Sequence, residues 1–168
     1  MDKDRLKKCI MESIIKMHSY LKEQGYYEDI NSYALYTDDG YMSLSMLFNT
    51  SSYLDEKWDD IDFLTYKFSS AEWYSEIIKN DVLISNNSFF NDISCLLRDS
   101  ALSGEDNEAL LINTCLEVLK DFRNSGEITN DKILLFMVSD NYDADSIIRW
   151  NSEFNNPEII SEINKWVS

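Results

Sequence analysis

Apolar positions repeat in two different ways along the chain, and the two repeats predict helices and strands. Over residues 4–24, apolar side chains recur every three or four positions and form one stripe of an amphipathic helix, and Gly25 marks its end. Residues 105–123 carry the broadest stripe of this kind and predict the strongest helix, which ends at Gly126.

Alternating and continuous apolar runs predict four strands. Residues 32–37 and 41–49 flank Asp38-Asp39-Gly40, which is typical of a hairpin turn with a positive φ at the glycine. Residues 61–68 alternate and predict a third strand. Residues 132–139 are almost continuously apolar, so we expect a strand that is covered on both faces and paired centrally in its sheet.

Shorter helical patterns fill most of the remaining chain. They cover residues 53–57, 71–79, 89–102, 143–154 and 157–167, with a break at Asn86-Asn87-Ser88. We find no internal repeat and no linker. The sequence therefore predicts one α+β domain over residues 1–168, an about four-stranded, mostly antiparallel sheet with helices packed on it.

The net charge of the chain limits the kinds of partner that it can bind. The chain holds 31 Asp and Glu against 15 Lys and Arg, a formal net charge of −16. Such a protein repels nucleic acid and anionic lipid, so we expect neither as its partner. The longest mostly apolar run spans residues 133–138, against about 20 needed for a membrane helix. With no secretion signal in the pattern, we expect a cytoplasmic protein.

The residues that most often carry catalysis are sparse. Cys9, Cys95 and Cys115 are far apart, and their helical surroundings predict buried free thiols. His18 is the single histidine, and we expect it at the surface or rim of the first helix. No zinc spacing, nucleophile elbow or glycine-rich phosphate loop occurs. We therefore expect no catalytic residues, no metal and no cofactor.

Paired carboxylates leave an alternative open, because two acids can act as general acid and base. The run from Asp140 to Asp145 resembles a calcium loop, but it lacks the glycine at position six and the glutamate at position twelve. Asp145 is better explained as an N-cap or first-turn residue of the following helix.

Acidic residues concentrate in one part of the chain. From Glu28 to Asp62 there are nine acids and one base, Lys57, a net charge of −8. This stretch is either a solvated face or a docking surface for a basic partner. Trp58 lies inside it, either as a binding anchor or folded back on the sheet. The predicted partner-binding residues are Asp55, Glu56, Trp58, Asp59, Asp60 and Asp62. A second predicted set, placed in the loop after the apolar strand, is Asp140, Tyr142 and Asp143.

Several segments together resemble a known family. They are Tyr33-Ala34-Leu35-Tyr36-Thr37-Asp38-Asp39-Gly40, Phe68-Ser69-Ser70-Ala71-Glu72-Trp73, Ser139-Asp140 and the stretch from Asn151 to Pro157. The chain, from about Leu6 to Pro157, resembles a bacterial family of unknown function whose members look like immunity proteins of polymorphic-toxin and contact-dependent growth-inhibition systems. The family usually shows a Pro-x-Glu-Trp-like sequence where this chain has Ser70-Ala71-Glu72-Trp73.

The resemblance implies a protein that acts by binding. We therefore expect an immunity protein that neutralises a cognate toxin domain, which is a basic protein of the nuclease type, and that is not an enzyme. The alternatives are a hydrolase that uses an acid pair with a divalent metal, and a regulatory or scaffold protein without a toxin partner. The sequence leaves the toxin's identity and the oligomeric state open.

Overall fold

Three strands and the helices around them are given by a computed structural model, which describes the backbone of residues 2–73 and 80–168 and the side chains of residues 2–73 and 88–168. The elements, in chain order, are α1 (Lys3–Glu23), β1 (Ile30–Thr37), β2 (Ser45–Thr50), α2 (Ser51–Glu56), α3 (Phe63–Phe68), a 3₁₀ turn (Ser70–Trp73), α4 (Asn80–Leu102), α5 (Glu108–Asn124), β3 (Ile133–Val138), α6 (Ala144–Asn151) and α7 (Pro157–Val167). The predicted α+β class is confirmed.

The sheet has the order β2-β1-β3. β1 pairs antiparallel with β2, where Tyr33 lies opposite Phe48, and parallel with β3, where Tyr33 lies opposite Leu134. The prediction of about four mostly antiparallel strands is therefore wrong for the described residues, which hold a mixed sheet of three. Residues 61–68, predicted as a strand, contain α3 instead, and its inward residues Leu64 and Phe68 are four positions apart, as on a helix.

Helices cover both faces of the sheet. Alternate side chains of the strands, among them Tyr33 and Phe136, pack with α1, α4 and α5 in the larger core cluster. The intervening side chains, among them Ala34 and Leu135, pack with α3 and α7 in a second cluster that also holds the buried Trp73. Successive residues of each strand thus face two separate helical layers. Because both faces of the sheet are covered, β3 is apolar at every position.

β3 is an edge strand, so its predicted central pairing is wrong. Side-chain amides take the place of a further strand. Asn151 accepts from the Phe136 amide (2.8 Å) and donates to the Phe136 carbonyl (3.2 Å). Asn155 makes the same two bonds to Leu134, at 3.1 and 2.5 Å. The two asparagines are four residues apart, and Leu134 and Phe136, whose amides and carbonyls they bind, are two residues apart on the strand. The asparagine side chains therefore satisfy these backbone groups at the otherwise open edge of β3.

The turn after β1 also differs from its prediction. The left-handed residue is Tyr41, with a φ of 53°, and the second strand begins only at Ser45. Asp38 holds the turn, because its carboxylate accepts from the amides of Gly40 and Met42 and from the Ser43 hydroxyl. A Cβ at position 40 would lie 3.0 Å from the Asp38 carboxylate and from the Met42 side chain. Gly40 therefore leaves room for the close approach of these two side chains, rather than supplying a positive φ.

Other predicted features have mixed outcomes. The break at residues 86–88 is wrong, because α4 is continuous there. The helix predicted over 71–79 corresponds to the 3₁₀ turn up to Trp73, and residues 74–79 lie outside the described ones. Cys115 is buried as expected, Cys9 is half-buried and Cys95 is exposed, so burial of all three thiols is wrong.

His18 is buried, only 2% exposed, and not at the surface as predicted. Its Nε2 lies 3.1 Å from the Glu127 carbonyl oxygen, and its Nδ1 lies 3.0 Å from the Tyr33 hydroxyl. Because a carbonyl only accepts, Nε2 carries the proton and Nδ1 accepts from Tyr33. Burial, the largest cause, lowers the pKa of His18 below its ordinary 6.5, and the charge of Lys22 lowers it further.

Replacing Asn151 by alanine is expected to reduce the free energy of unfolding by about 3 kcal/mol, because it leaves the Phe136 amide and carbonyl without partners. Urea unfolding measures the change. The exposed Asn164→Ala variant on α7 is the control and is expected to lose less than about 0.5 kcal/mol. Equal losses in the two variants would show that the β3 edge does not depend on Asn151.

The single histidine gives the stability a defined pH dependence. Since its pKa is lower in the folded than in the unfolded chain, the unfolded chain binds more protons as the pH falls below about 6.5. The stability advantage of the wild type over His18→Gln is therefore expected to be complete above pH 6.5 and to shrink between pH 6.5 and the folded-state pKa. Urea unfolding of both chains tests the shrinkage, and an NMR titration of His18 gives its pKa directly. An advantage that stays constant from pH 7.5 to 5 would contradict it.

Candidate functional site

The predicted acidic residues lie on an exposed segment between β2 and α3. We call residues 55–62 the acidic loop; it begins in the last turn of α2 and ends at the residue before α3. The loop carries five acids, all of them exposed: Asp55, Glu56, Asp59, Asp60 and Asp62. Asp62 occupies the N-cap position of α3 but makes no capping hydrogen bond through its side chain. Its carboxylate is therefore not used by the helix that it precedes.

Two large apolar side chains stand among these acids. Trp58 is 70% exposed and touches Phe63 edge to face, with 5.2 Å between the ring centroids. Ile61 is 98% exposed. The alternative in which Trp58 folds back on the sheet is thus wrong. Covering exposed tryptophan and isoleucine side chains with a partner is favourable, because it removes apolar surface from water. An aromatic side chain surrounded by polar groups is typical of a binding anchor.

The acids of the loop carry no compensating charge. Lys57, its single base, lies over the rings of Tyr53 and Tyr66, at 5.7 and 5.0 Å from their centroids. In the part of the chain that the structure describes, none of the five acids forms an ion pair. The loop therefore presents a negative field to an approaching partner.

The second predicted set lies in the β3 loop, which we define as residues 139–143. Asp140 is exposed and has a positive φ of 55°, a conformation that aspartate tolerates better than most residues. Its carboxylate accepts from the Ser139 hydroxyl (3.1 Å) and faces the Tyr142 hydroxyl at 3.4 Å. Tyr142 is 86% exposed. Both residues thus project from the carboxyl end of β3.

Asp143 has a structural task in addition to any binding role. It is the N-cap of α6 and accepts from the Ser146 amide at 3.2 Å. Hydrogen bonding to the side chain of Ser146 is the largest cause that lowers the pKa of Asp143. Desolvation opposes it, and the hydrogen bond from the Ser146 amide lowers the pKa further. Asp145 lies in the first turn of the same helix, which agrees with the first-turn alternative predicted for it.

The structure does not merge the two predicted sets into one patch. Asp55 and Trp58 line a shallow cavity of about 290 Å³ together with Ile133, at the amino end of β3. Asp140 and Tyr142 line a cavity of about 520 Å³ at its carboxyl end. α7 joins the two ends, because Ile159 lines the first cavity and Trp166 the second.

Sequence reasoning missed three residues that the structure brings to these places. The strand predicted over residues 61–68 includes Ile61, although three acids in the four positions 59–62 indicate an exposed segment. Glu72 and Trp166 line the cavity that holds Asp140, but they come from the 3₁₀ turn and from α7. No local sequence pattern places these two residues beside the β3 loop, because only the packing of α3 and α7 on the sheet does so.

Two features are absent from the described residues. In that part of the chain no group of three or more His, Cys, Asp and Glu side chains is placed to hold a metal ion. Also within it, no helix combines the length and apolarity that crossing a bilayer requires.

Trp58 and Trp73 differ in exposure, so their replacements are expected to differ in their effect on stability. Trp58→Ala is expected to change the free energy of unfolding by less than about 0.5 kcal/mol, whereas Trp73→Ala, at a side chain only 1% exposed, is expected to cost about 3–5 kcal/mol. Urea unfolding followed by circular dichroism compares them. A large loss in Trp58→Ala would mean that this ring supports the fold.

Comparison with known proteins gives a family. No curated protein and no solved structure matches the chain. A family model described as "Domain of unknown function (DUF4303)" matches residues 11–156, which include β1, β2, β3, the acidic loop and the β3 loop. Since the match covers most of the sequence, the chain belongs to the DUF4303 family.

Proposed function

We propose that this protein is a cytoplasmic immunity protein that binds and neutralises a cognate bacterial toxin domain, a basic protein of the nuclease type. The observation that carries the proposal is the acidic loop. There Trp58 and Ile61 are exposed among five carboxylates that make no ion pair within the described chain. The proposed protein acts by binding, with no catalytic residue and no cofactor.

Electrostatics supports a basic partner of this kind. An enzyme that cuts nucleic acid holds phosphates with Lys and Arg, so the mouth of its active site is positive. A surface with the charge of the acidic loop is complementary to that mouth, and complementary fields raise the rate of association. Once the partner is bound, burial of Trp58 and Ile61 slows its release.

A hydrolase that uses an acid pair is the second candidate. The observation that favours it is that Asp140 and Glu72 line one cavity. Such an enzyme would gain stability from its divalent metal, because a ligand that binds only the folded chain raises the midpoint of unfolding. A regulatory or scaffold protein without a toxin partner is the third candidate, and a stable homo-oligomer that leaves the acidic loop exposed would favour it.

The first experiment identifies the partner with the full chain as bait, and then measures binding kinetics. Reversing Asp59 and Asp60 to lysine is expected to slow association with the captured toxin domain by at least tenfold at low salt and to weaken its salt dependence. The variant is also expected to lose protection when toxin and immunity protein are produced together in cells.

A matched control separates local from overall charge. Asp92 and Asp99 are exposed on α4, which covers the other face of the sheet. The Asp92→Lys, Asp99→Lys variant changes the net charge by the same amount and is expected to keep most of the association rate. Equal slowing in both double variants would place the interface elsewhere, and the absence of any basic partner at low salt would refute the immunity proposal.

A further inference from the structure

The cavity of about 520 Å³ at the carboxyl end of β3 has the size of a ligand site and lies where parallel strands often hold ligands. Its floor is apolar and includes Met137, Val138 and Ile147. Its walls come from β1, α3, the 3₁₀ turn, the β3 loop and α7. Four stretches of the chain, residue 36 and residues 65–72, 137–147 and 166–167, thus converge on one concave surface.

The described residues that line this cavity carry negative charge only. Of its fifteen lining residues, Asp140 and Glu72 are acidic, and none is Lys, Arg or His. Neither carboxylate is in an ion pair within the described residues. Among the described residues, Asp140 accepts from the hydroxyls of its own loop, those of Ser139 and Tyr142. Two carboxylates without a counter-charge at one cavity favour a cation as the ligand.

A buried polar atom without a partner points to a ligand independently of charge. Ser70 lines the cavity and is only 2% exposed, and its Oγ has no hydrogen-bond partner among the described residues. An unsatisfied buried hydroxyl costs free energy, and a ligand N–H would supply the donor that it lacks. Ser70 thus adds a neutral acceptor to the two carboxylates.

Aromatic side chains specify the shape of the cation. Tyr36, Tyr142 and Trp166 line the same cavity. Cations bind over aromatic faces, and a planar guanidinium also stacks on them while its five N–H groups reach several acceptors. The apolar floor suits the aliphatic stem of such a side chain. An ammonium group, with three donors and no plane, uses the same set of groups less fully.

We propose that this cavity binds the guanidinium group of an arginine side chain supplied by the toxin partner, between Asp140, Glu72, the Ser70 hydroxyl and the Trp166 ring. The inference rests on the proposed function, and it adds a second contact at the opposite end of α7 from the acidic loop. The shape of the partner surface follows: an arginine projects beside the positive region that the acidic loop meets.

The cavity is tested first without the partner. N-acetylarginine methyl ester is titrated into the full chain, and the indole N–H signals of the tryptophans are followed by NMR. N-acetylcitrulline methyl ester, which replaces the guanidinium by a neutral urea of the same shape, is the control ligand. The arginine ester is expected to shift the Trp166 signal and to bind at least tenfold more tightly than the citrulline ester.

Variants locate the binding. Asp140→Asn and Glu72→Gln are each expected to weaken binding of the arginine ester at least fivefold, and Asp39→Asn, an exposed acid outside the cavity, is expected to leave it unchanged. Ser70→Ala is expected to weaken binding while leaving the midpoint of unfolding unchanged or higher, because it removes an unsatisfied hydroxyl. A purely structural role of Ser70 would not lower affinity without lowering stability.

The same variants are then tested with the captured partner. Asp140→Asn and Glu72→Gln are expected to raise the dissociation rate at least tenfold, and Asp39→Asn is not. If the partner binds all three variants like the wild type, the arginine contact is refuted while the proposed function stands. If the arginine ester binds the cavity but no basic partner exists, the proposed function fails, and the cavity belongs to a free cation.

Two further results would overturn the cavity proposal directly. One is equal binding of the arginine and citrulline esters, or of neither. The other is stabilisation by MgCl₂ or MnCl₂ that Asp140→Asn and Glu72→Gln abolish, with no response to the arginine ester. The second result would instead favour the acid-pair hydrolase.

Discussion

The pairing of two asparagine side chains with the edge of β3 is the interaction on which the rest of the structure depends. The three strands of the described residues form a sheet with two edges, and an apolar edge strand left open invites pairing with another chain. Asn151 and Asn155 each present one acceptor and one donor to the strand, as a neighbouring backbone would. They therefore hold α6 and the segment leading to α7 against β3, and α7 in turn covers the second face of the sheet.

Local sequence patterns predict only part of this fold. Periodicity identifies α1, α5 and the strand nature of β3, because these depend on local alternation of apolar and polar positions. It fails for residues 61–68, where a short apolar run fits both a strand and the helix α3. It fails again for the place of β3 in the sheet. An apolar strand indicates that both of its faces are covered, but not which groups bind the amides and carbonyls at its edge. His18 is missed for a related reason, because its partners Tyr33 and Glu127 are distant in sequence.

The sequence likewise predicts one part of the candidate site and not the other. The acidic loop is visible in the sequence, since both its charge and Trp58 are local features. Its lack of ion pairs within the described residues is a structural result, because Lys57 lies over the rings of Tyr53 and Tyr66 rather than beside a carboxylate. The cavity at the β3 loop joins Glu72 and Trp166 to Asp140 only through the packing of distant elements, so a sequence pattern cannot specify it.

α7 links these two places, because its residues line both cavities. Ile159 and Trp166 are seven residues apart, which is about 10 Å along a helix. A protein partner of ordinary interface size covers roughly 800 Å² on each side, enough to span both ends of such a helix. The Lys67–Glu162 ion pair joins α3 to α7 between the ends and fixes their relative position. The proposed partner is therefore large enough to meet the acidic loop for fast association and to fill the cavity for slow release. The two ends need different chemistry for these tasks, because exposed charge acts at a distance whereas a cavity acts only on contact.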